Sequence, residues 1–112
     1  MTEQRYTLSL KNGNAIIDGN LVSTNIYIDG DKISHISDKI LESDNTIDCK
    51  NLIILPGVID SQVHFREPGL EGKETLSSGM LAAISGGVTS IFEMPNTNPL
   101  TITPETIEDK LK

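Results

Sequence analysis

Leu52-Ile53-Ile54-Leu55-Pro56-Gly57-Val58-Ile59-Asp60-Ser61-Gln62-Val63-His64-Phe65-Arg66-Glu67-Pro68-Gly69 is the stretch on which the fold turns. Leu52 to Leu55 is continuously apolar, as a strand buried on both faces would be, and Pro56-Gly57 interrupts it. A second strand opens at Gly57-Val58-Ile59-Asp60, and its distal end carries Gln62, His64 and Arg66. These are spaced two apart, so a continuing strand would place them on one face. Glu67-Pro68-Gly69 then signals a turn. Downstream, Leu76, Met80, Ala83 and Ile84 fall on one helical face, and Gly86-Gly87 stops that helix. Val88-Thr89-Ser90-Ile91-Phe92 reads as another buried strand, ending at Met94-Pro95-Asn96-Thr97-Asn98-Pro99. Thr103-Pro104-Glu105 starts a last helix, with Thr at the cap, Pro in the first turn and an acid near the positive end of the dipole. Strand, helix, strand, helix implies parallel strands joined by a crossover.

Upstream the period changes. Tyr6, Leu8 and Leu10 alternate with Thr7 and Ser9, which predicts one face toward a core and the other toward water. Asn12-Gly13, Asp18-Gly19 and Asp29-Gly30 suit tight hairpin turns between short β-branched runs. The expectation is a small antiparallel sheet, followed by a polar loop over 38–51 with at most a brief strand at Thr46-Ile47-Asp48. The fold class is thus α/β: a small β domain over 1–56, then the first βα units of a TIM-type barrel over 57–112, incomplete within this chain. A whole barrel needs about 250 residues, and this chain has 112.

Composition narrows the function classes. The net charge is −7, which disfavours a nucleic-acid partner or an acidic membrane surface. Uninterrupted apolar runs such as Leu52 to Leu55 are far short of the roughly 20 residues of a membrane span. The start Met1-Thr2-Glu3-Gln4-Arg5 has no apolar leader core, so a cytoplasmic location is expected. One cysteine, Cys49, makes no intrachain disulfide, and it has neither a neighbouring histidine nor a basic cluster in sequence, so a structural thiol is expected.

Ligands of parallel α/β folds gather where the strands end. His64 offers a neutral imidazole for a metal, Arg66 a planar fork for a carboxylate, and Asn96 an amide at the neighbouring strand end. Each also has a plainer reading. His64 suits a packed or surface histidine, Arg66 a rim charge paired with Glu67, and Met94-Pro95-Asn96 simple turn chemistry. His35 reads as an edge histidine and Glu108-Asp109 as a solvated helix face.

Leu55-Pro56-Gly57-Val58-Ile59-Asp60, His64-Phe65-Arg66-Glu67-Pro68-Gly69, Lys73-Glu74-Thr75, Gly86-Gly87-Val88-Thr89 and Met94-Pro95-Asn96-Thr97-Asn98-Pro99 together resemble the dihydroorotases and related cyclic amidohydrolases. The resemblance implies a zinc-dependent barrel that interconverts dihydroorotate and N-carbamoyl-aspartate in pyrimidine synthesis, acting on a small anionic cyclic amide. It places the family's His-x-His metal pair on Gln62 and His64, with only the second histidine present, and the substrate-carboxylate contacts on Arg66 and Asn96. The family's remaining ligands and its general-base aspartate match no residue here, so catalysis by this chain alone is not expected. A non-catalytic scaffold associating with aspartate carbamoyltransferase is the first alternative, and the Gln62 replacement favours it. Dihydropyrimidinase, hydantoinase and allantoinase relatives are the next, and a freestanding binding β domain the last. Homo-oligomerisation is compatible with all of them.

Overall fold

A computed structural model describes residues 5–112. Met1 to Gln4, which belong to the start read above as lacking a leader, lie outside the described residues. The chain divides into two compact units, Met1–Pro56 and Gly57–Lys112.

The first unit is a five-stranded sheet built on β1 (Tyr6–Ile17). One edge of β1 pairs antiparallel with β2 (Asn20–Asp29), which pairs antiparallel with β3 (Lys32–Ser37). Asp18 and Gly19, at φ 50° and 77°, close the first hairpin with the double positive φ of a type I′ turn. The second turn lies one residue later than expected, at Gly30-Asp31, with Gly30 at φ 60°.

The other edge of β1 corrects the expectation of an antiparallel sheet. β4 (Ser43–Asp48) and β5 (Ile53–Ile54) both run parallel to β1, so the sheet is mixed and the polar 38–51 segment contains a full strand. Polarity concealed β4 because its hydroxyls pair within the sheet. Ser9 Oγ lies 2.7 Å from Ser43 Oγ and 2.9 Å from Thr46 Oγ1, which also explains why Ser9, expected to face water, is fully buried.

Asn12-Gly13 lies at a bulge within β1 and makes no turn. Two residues of β1, Lys11 and Asn12, stand opposite Asn25 of β2, and Asn12 takes φ 62°. The Asn12 N–H freed from the ladder donates to Asn25 Oδ1 at 3.0 Å. Asn12 Nδ2 donates to Asp48 Oδ1 at 2.9 Å, and this bond, with the Lys50 N–H, holds the Asp48 carboxyl below its usual pKa. The core is small: Tyr6, Ala15, Ile26, Tyr27 and Cys49 are buried. Buried Cys49 fits a structural thiol, and exposed His35 lies on β3 at the sheet edge.

In the second unit, β6 (Val58–Val63) and β7 (Val88–Glu93) pair in parallel, with α1 (Leu76–Ser85) between them in sequence and α2 (Pro104–Lys110) after β7. Both helices start in a capping box, Thr75 with Ser78 and Thr103 with Thr106. Gly86 ends α1, and Gly87 follows at φ 83°.

Two strands read as buried are open to water. Leu52, Ile53 and Leu55 are 56%, 59% and 63% exposed, and Phe92 on β7 is 63% exposed. The apolar runs call for cover on both faces, which the described residues supply only in part. Among the described residues, no helix is long and apolar enough to cross a membrane.

Two outcomes follow. Tyr27 O–H donates to Lys39 O at 2.7 Å and its oxygen accepts from Leu41 N at 3.1 Å, so Tyr27→Phe strands two backbone groups. It is expected to cost about 1–3 kcal/mol in urea unfolding and to speed hydrogen exchange at Leu41. The uncovered apolar strands are expected to drive concentration-dependent association, read by sedimentation velocity across a dilution series.

Candidate functional site

The polar groups singled out in sequence occupy the ends of β6 and β7 and the loops that follow them. β6 stops at Val63, so Gln62 is its penultimate residue while His64 and Arg66 belong to the loop. This corrects the expectation that residues 62, 64 and 66 share one strand face. The ladder is already irregular between Asp60 and Val63, where Asp60 Oδ1 accepts from the Gln62 N–H at 3.0 Å.

Alternation persists in the loop but with a different meaning. Phe65 is buried against α1, where a Cβ on Gly79 would come within 2.6 Å of its ring. Glu67 Oε2 accepts from the Leu76 N–H at 2.7 Å, adding a carboxylate to the N-terminus of α1. Gly69, at φ 87°, packs so closely on the next loop that a Cβ would fall 1.9 Å from Asn98 O. Its N–H donates to Glu71 Oε1 at 2.7 Å and holds that carboxyl below its usual pKa. The bond's contribution is therefore present above the ordinary carboxylate range and lost as pH falls through the lowered value. Phe65, Glu67 and Gly69 thus anchor the loop, while the side chains of His64 and Arg66 remain free of that task.

The loop after β7 is fixed as firmly. Met94 N donates to Val63 O at 2.8 Å, and Asn98 N donates to Pro68 O at 2.9 Å. Thr97 is buried; its Oγ1 donates to Pro99 O at 2.8 Å and lies 2.7 Å from Thr101 Oγ1.

Between these attachments His64 Nδ1 lies 2.9 Å from Asn96 Oδ1. The structure therefore brings His64 and Asn96 together. Among the described residues, no side-chain hydrogen bond joins Gln62 or Arg66 to either of them. Gln62 is exposed, and half-buried Arg66 makes no ion pair among the described residues. Glu67 caps α1 and is not a partner for Arg66, which sets aside the rim-pair reading of that arginine.

Sequence reasoning missed the anchoring roles of Phe65, Glu67 and Gly69. The available signal was the acid at 67 shortly before a helix start and the glycine at 79 inside an otherwise good helical pattern, since an interior helix glycine often marks close packing.

A cleft of about 490 Å³ lies beside this site, bounded by Phe65, Leu76, Met80, Ile91, Met94 and Ile107. The partly buried Lys110–Glu93 ion pair, at 2.5 Å, forms its polar edge. Neither His64, Arg66 nor Asn96 lines it, and its apolar walls are those of helix-on-sheet packing.

Zinc, the metal that the sequence resemblance implies, does not fit this chain's donors alone. A catalytic zinc takes three protein ligands. The described residues contain no group of three His, Cys, Asp or Glu able to hold an ion, His64 is a single imidazole, and Gln62 offers only a neutral amide oxygen.

Parallel strands with an imidazole and an amide joined at adjacent ends define an α/β protein with its polar site on the strand-end rim. Comparison with known proteins gives the family. Residues 51–110 match the dihydro-orotase-like family, and the chain belongs to it. A dihydroorotase of Staphylococcus epidermidis is 47% identical over 102 residues, covering 88% of this chain and 23% of the relative. The structure of L-hydantoinase (dihydropyrimidinase) from Arthrobacter aurescens superposes with a TM-score of 0.83 at 29% identity, covering 94% of this chain and 24% of that one. A D-aminoacylase described with a binuclear metal centre superposes at 0.59 with 25% identity, covering 77% of this chain and 18% of that one. The chain thus spans about a quarter of the length of the dihydroorotase and hydantoinase that it matches.

Gly79→Ala tests the anchoring scheme by its sign. Helix propensity alone favours alanine by about 1 kcal/mol. Collision with the buried Phe65 ring is expected to reverse this to a net loss of about 1 kcal/mol in chemical denaturation. Gly69→Ala, strained at positive φ and blocked by Asn98 O, is expected to lower the melting temperature further.

Proposed function

We propose that this chain is the N-terminal part of a dihydroorotase-type cyclic amidohydrolase, acting in pyrimidine synthesis on dihydroorotate or N-carbamoyl-aspartate. The carrying observation is the hydrogen-bonded His64–Asn96 pair at the ends of two neighbouring parallel strands, with Arg66 in the same short loop. The 47% identity to a dihydroorotase supports this substrate class over that of the hydantoinase, at 29%.

In this reading Arg66 offers its guanidinium fork to the ring carboxylate, and Asn96 Nδ2, free while Oδ1 serves His64, donates to the same anion. The anchors described above hold the backbone at both residues before substrate arrives, which lowers the ordering cost at binding. Zinc, as the resemblance implies, would polarise the amide and supply the nucleophile, with ligands from beyond this chain's own set. In this reading the groups of this chain bind and orient.

Gln62 supports a second reading, in which the protein binds the family's ligand or a partner such as aspartate carbamoyltransferase without turnover. An amide oxygen is a poor replacement for imidazole at zinc.

The test is NMR titration of the labelled chain with dihydroorotate and with dihydrouracil, the same ring without the carboxylate. Dihydroorotate is expected to shift the Arg66 and Asn96 side-chain signals and dihydrouracil to leave them in place. Arg66→Ala is expected to weaken dihydroorotate binding about tenfold or more. Equal response to both rings overturns the carboxylate assignment. Turnover of dihydroorotate by the 112-residue chain alone would overturn the purely binding role given to its residues.

A further inference from the structure

We propose that Asn96 is a positioning residue for His64, holding the neutral imidazole in the tautomer with its proton on Nδ1 and its lone pair on Nε2. The contact joins His64 Nδ1 to Asn96 Oδ1 at 2.9 Å, and an amide oxygen has no proton to give. With the amide oxygen facing the ring, Nδ1 is the donor, and a neutral ring that carries its proton on Nδ1 keeps its only lone pair at Nε2.

Both residues are exposed, and an isolated hydrogen bond in water would select a tautomer weakly. Here the backbone on each side is fixed first. Val63 O receives Met94 N at 2.8 Å on one side of the pair, and Pro68 O receives Asn98 N at 2.9 Å on the other. Buried Phe65 and buried Thr97, each next to one member of the pair, fix the two side-chain origins. The contact is thus made by two groups already held at the right separation.

Asn96 then has two faces. Its oxygen orients the histidine, and its Nδ2 points its protons elsewhere. The second face rests on the anion-binding reading above, whereas the first does not.

The chain has two histidines, so assignment is simple and His35, with no side-chain hydrogen bond among the described residues, serves as the internal reference. Long-range nitrogen–proton correlation spectra of the ligand-free labelled chain, recorded above the pH at which the rings take up protons, report each tautomer directly. His64 is expected to show the Nδ1–H form and His35 the Nε2–H form that free imidazole side chains favour. Asn96→Leu, similar in volume but without an acceptor, is expected to return His64 to the His35 pattern, and Asn96→Asp, which keeps the acceptor oxygen, to preserve the Nδ1–H form. Backbone amide shifts of Phe65 and Thr97 verify that the variants keep the loop. A dominant Nε2–H signal for His64 in the unmodified chain overturns the proposal whether or not any variant folds, as does an unchanged tautomer in folded Asn96→Leu. Failure of dihydroorotate to bind leaves the tautomer result standing, so the two readings fail separately.

Discussion

The backbone-to-backbone closure between the loops after β6 and β7 is the constraint on which the site depends. Asn98 N to Pro68 O and the contact of Gly69 with Asn98 O hold two segments some thirty residues apart in sequence at van der Waals distance. A side chain at position 69 would collide with Asn98 O, so the glycine lets the two loops close beyond the His64–Asn96 contact, while the Met94 N to Val63 O bond joins them before it. Closure of the rim thus depends in part on a glycine that touches no ligand. The same economy appears at Gly79, where the missing side chain leaves room for the Phe65 ring against α1.

Much of the second unit was legible in the sequence because its signals are local. The order strand, helix, strand, helix, the Thr103-Pro104 start and the Gly86-Gly87 stop all depend on propensity and capping within a few residues. The mixed character of the first sheet was not legible. Whether a strand joins β1 parallel or antiparallel is decided by long-range pairing, and β4 hides its strand nature behind Ser43, Asn45 and Thr46, whose polar groups bond to β1. Burial was misjudged for a related reason. Apolarity at Leu52–Leu55 and Phe92 shows what a residue favours, while exposure depends on which neighbours are present.

At the site, sequence identified the residue types and the family motif, and the geometry reassigned several roles. Arg66 and Glu67 adjoin in sequence, yet Glu67 is taken up by the N-terminus of α1 and leaves the Arg66 guanidinium without an ion pair among the described residues. Asn96 was read as a donor to an anion, and its oxygen proves to be engaged with His64. Gln62 remains the departure from the family pattern with the largest chemical consequence, since no histidine or carboxylate cluster among the described residues compensates for it.

The bulge at Asn12-Gly13 sits at the point where β1 changes partner along one edge. β4 pairs up to Lys11, β5 pairs from Asn14, and the chain turns between them with Cys49 N bonded to Lys11 O and Leu52 O bonded to Asn14 N. Ile54 and Cys49 fill the space above Gly13, leaving none for a Cβ. Sliding either edge strand by one residue would carry a side chain into that filled space, so a single backbone irregularity acts as the zero mark from which both parallel strands are counted.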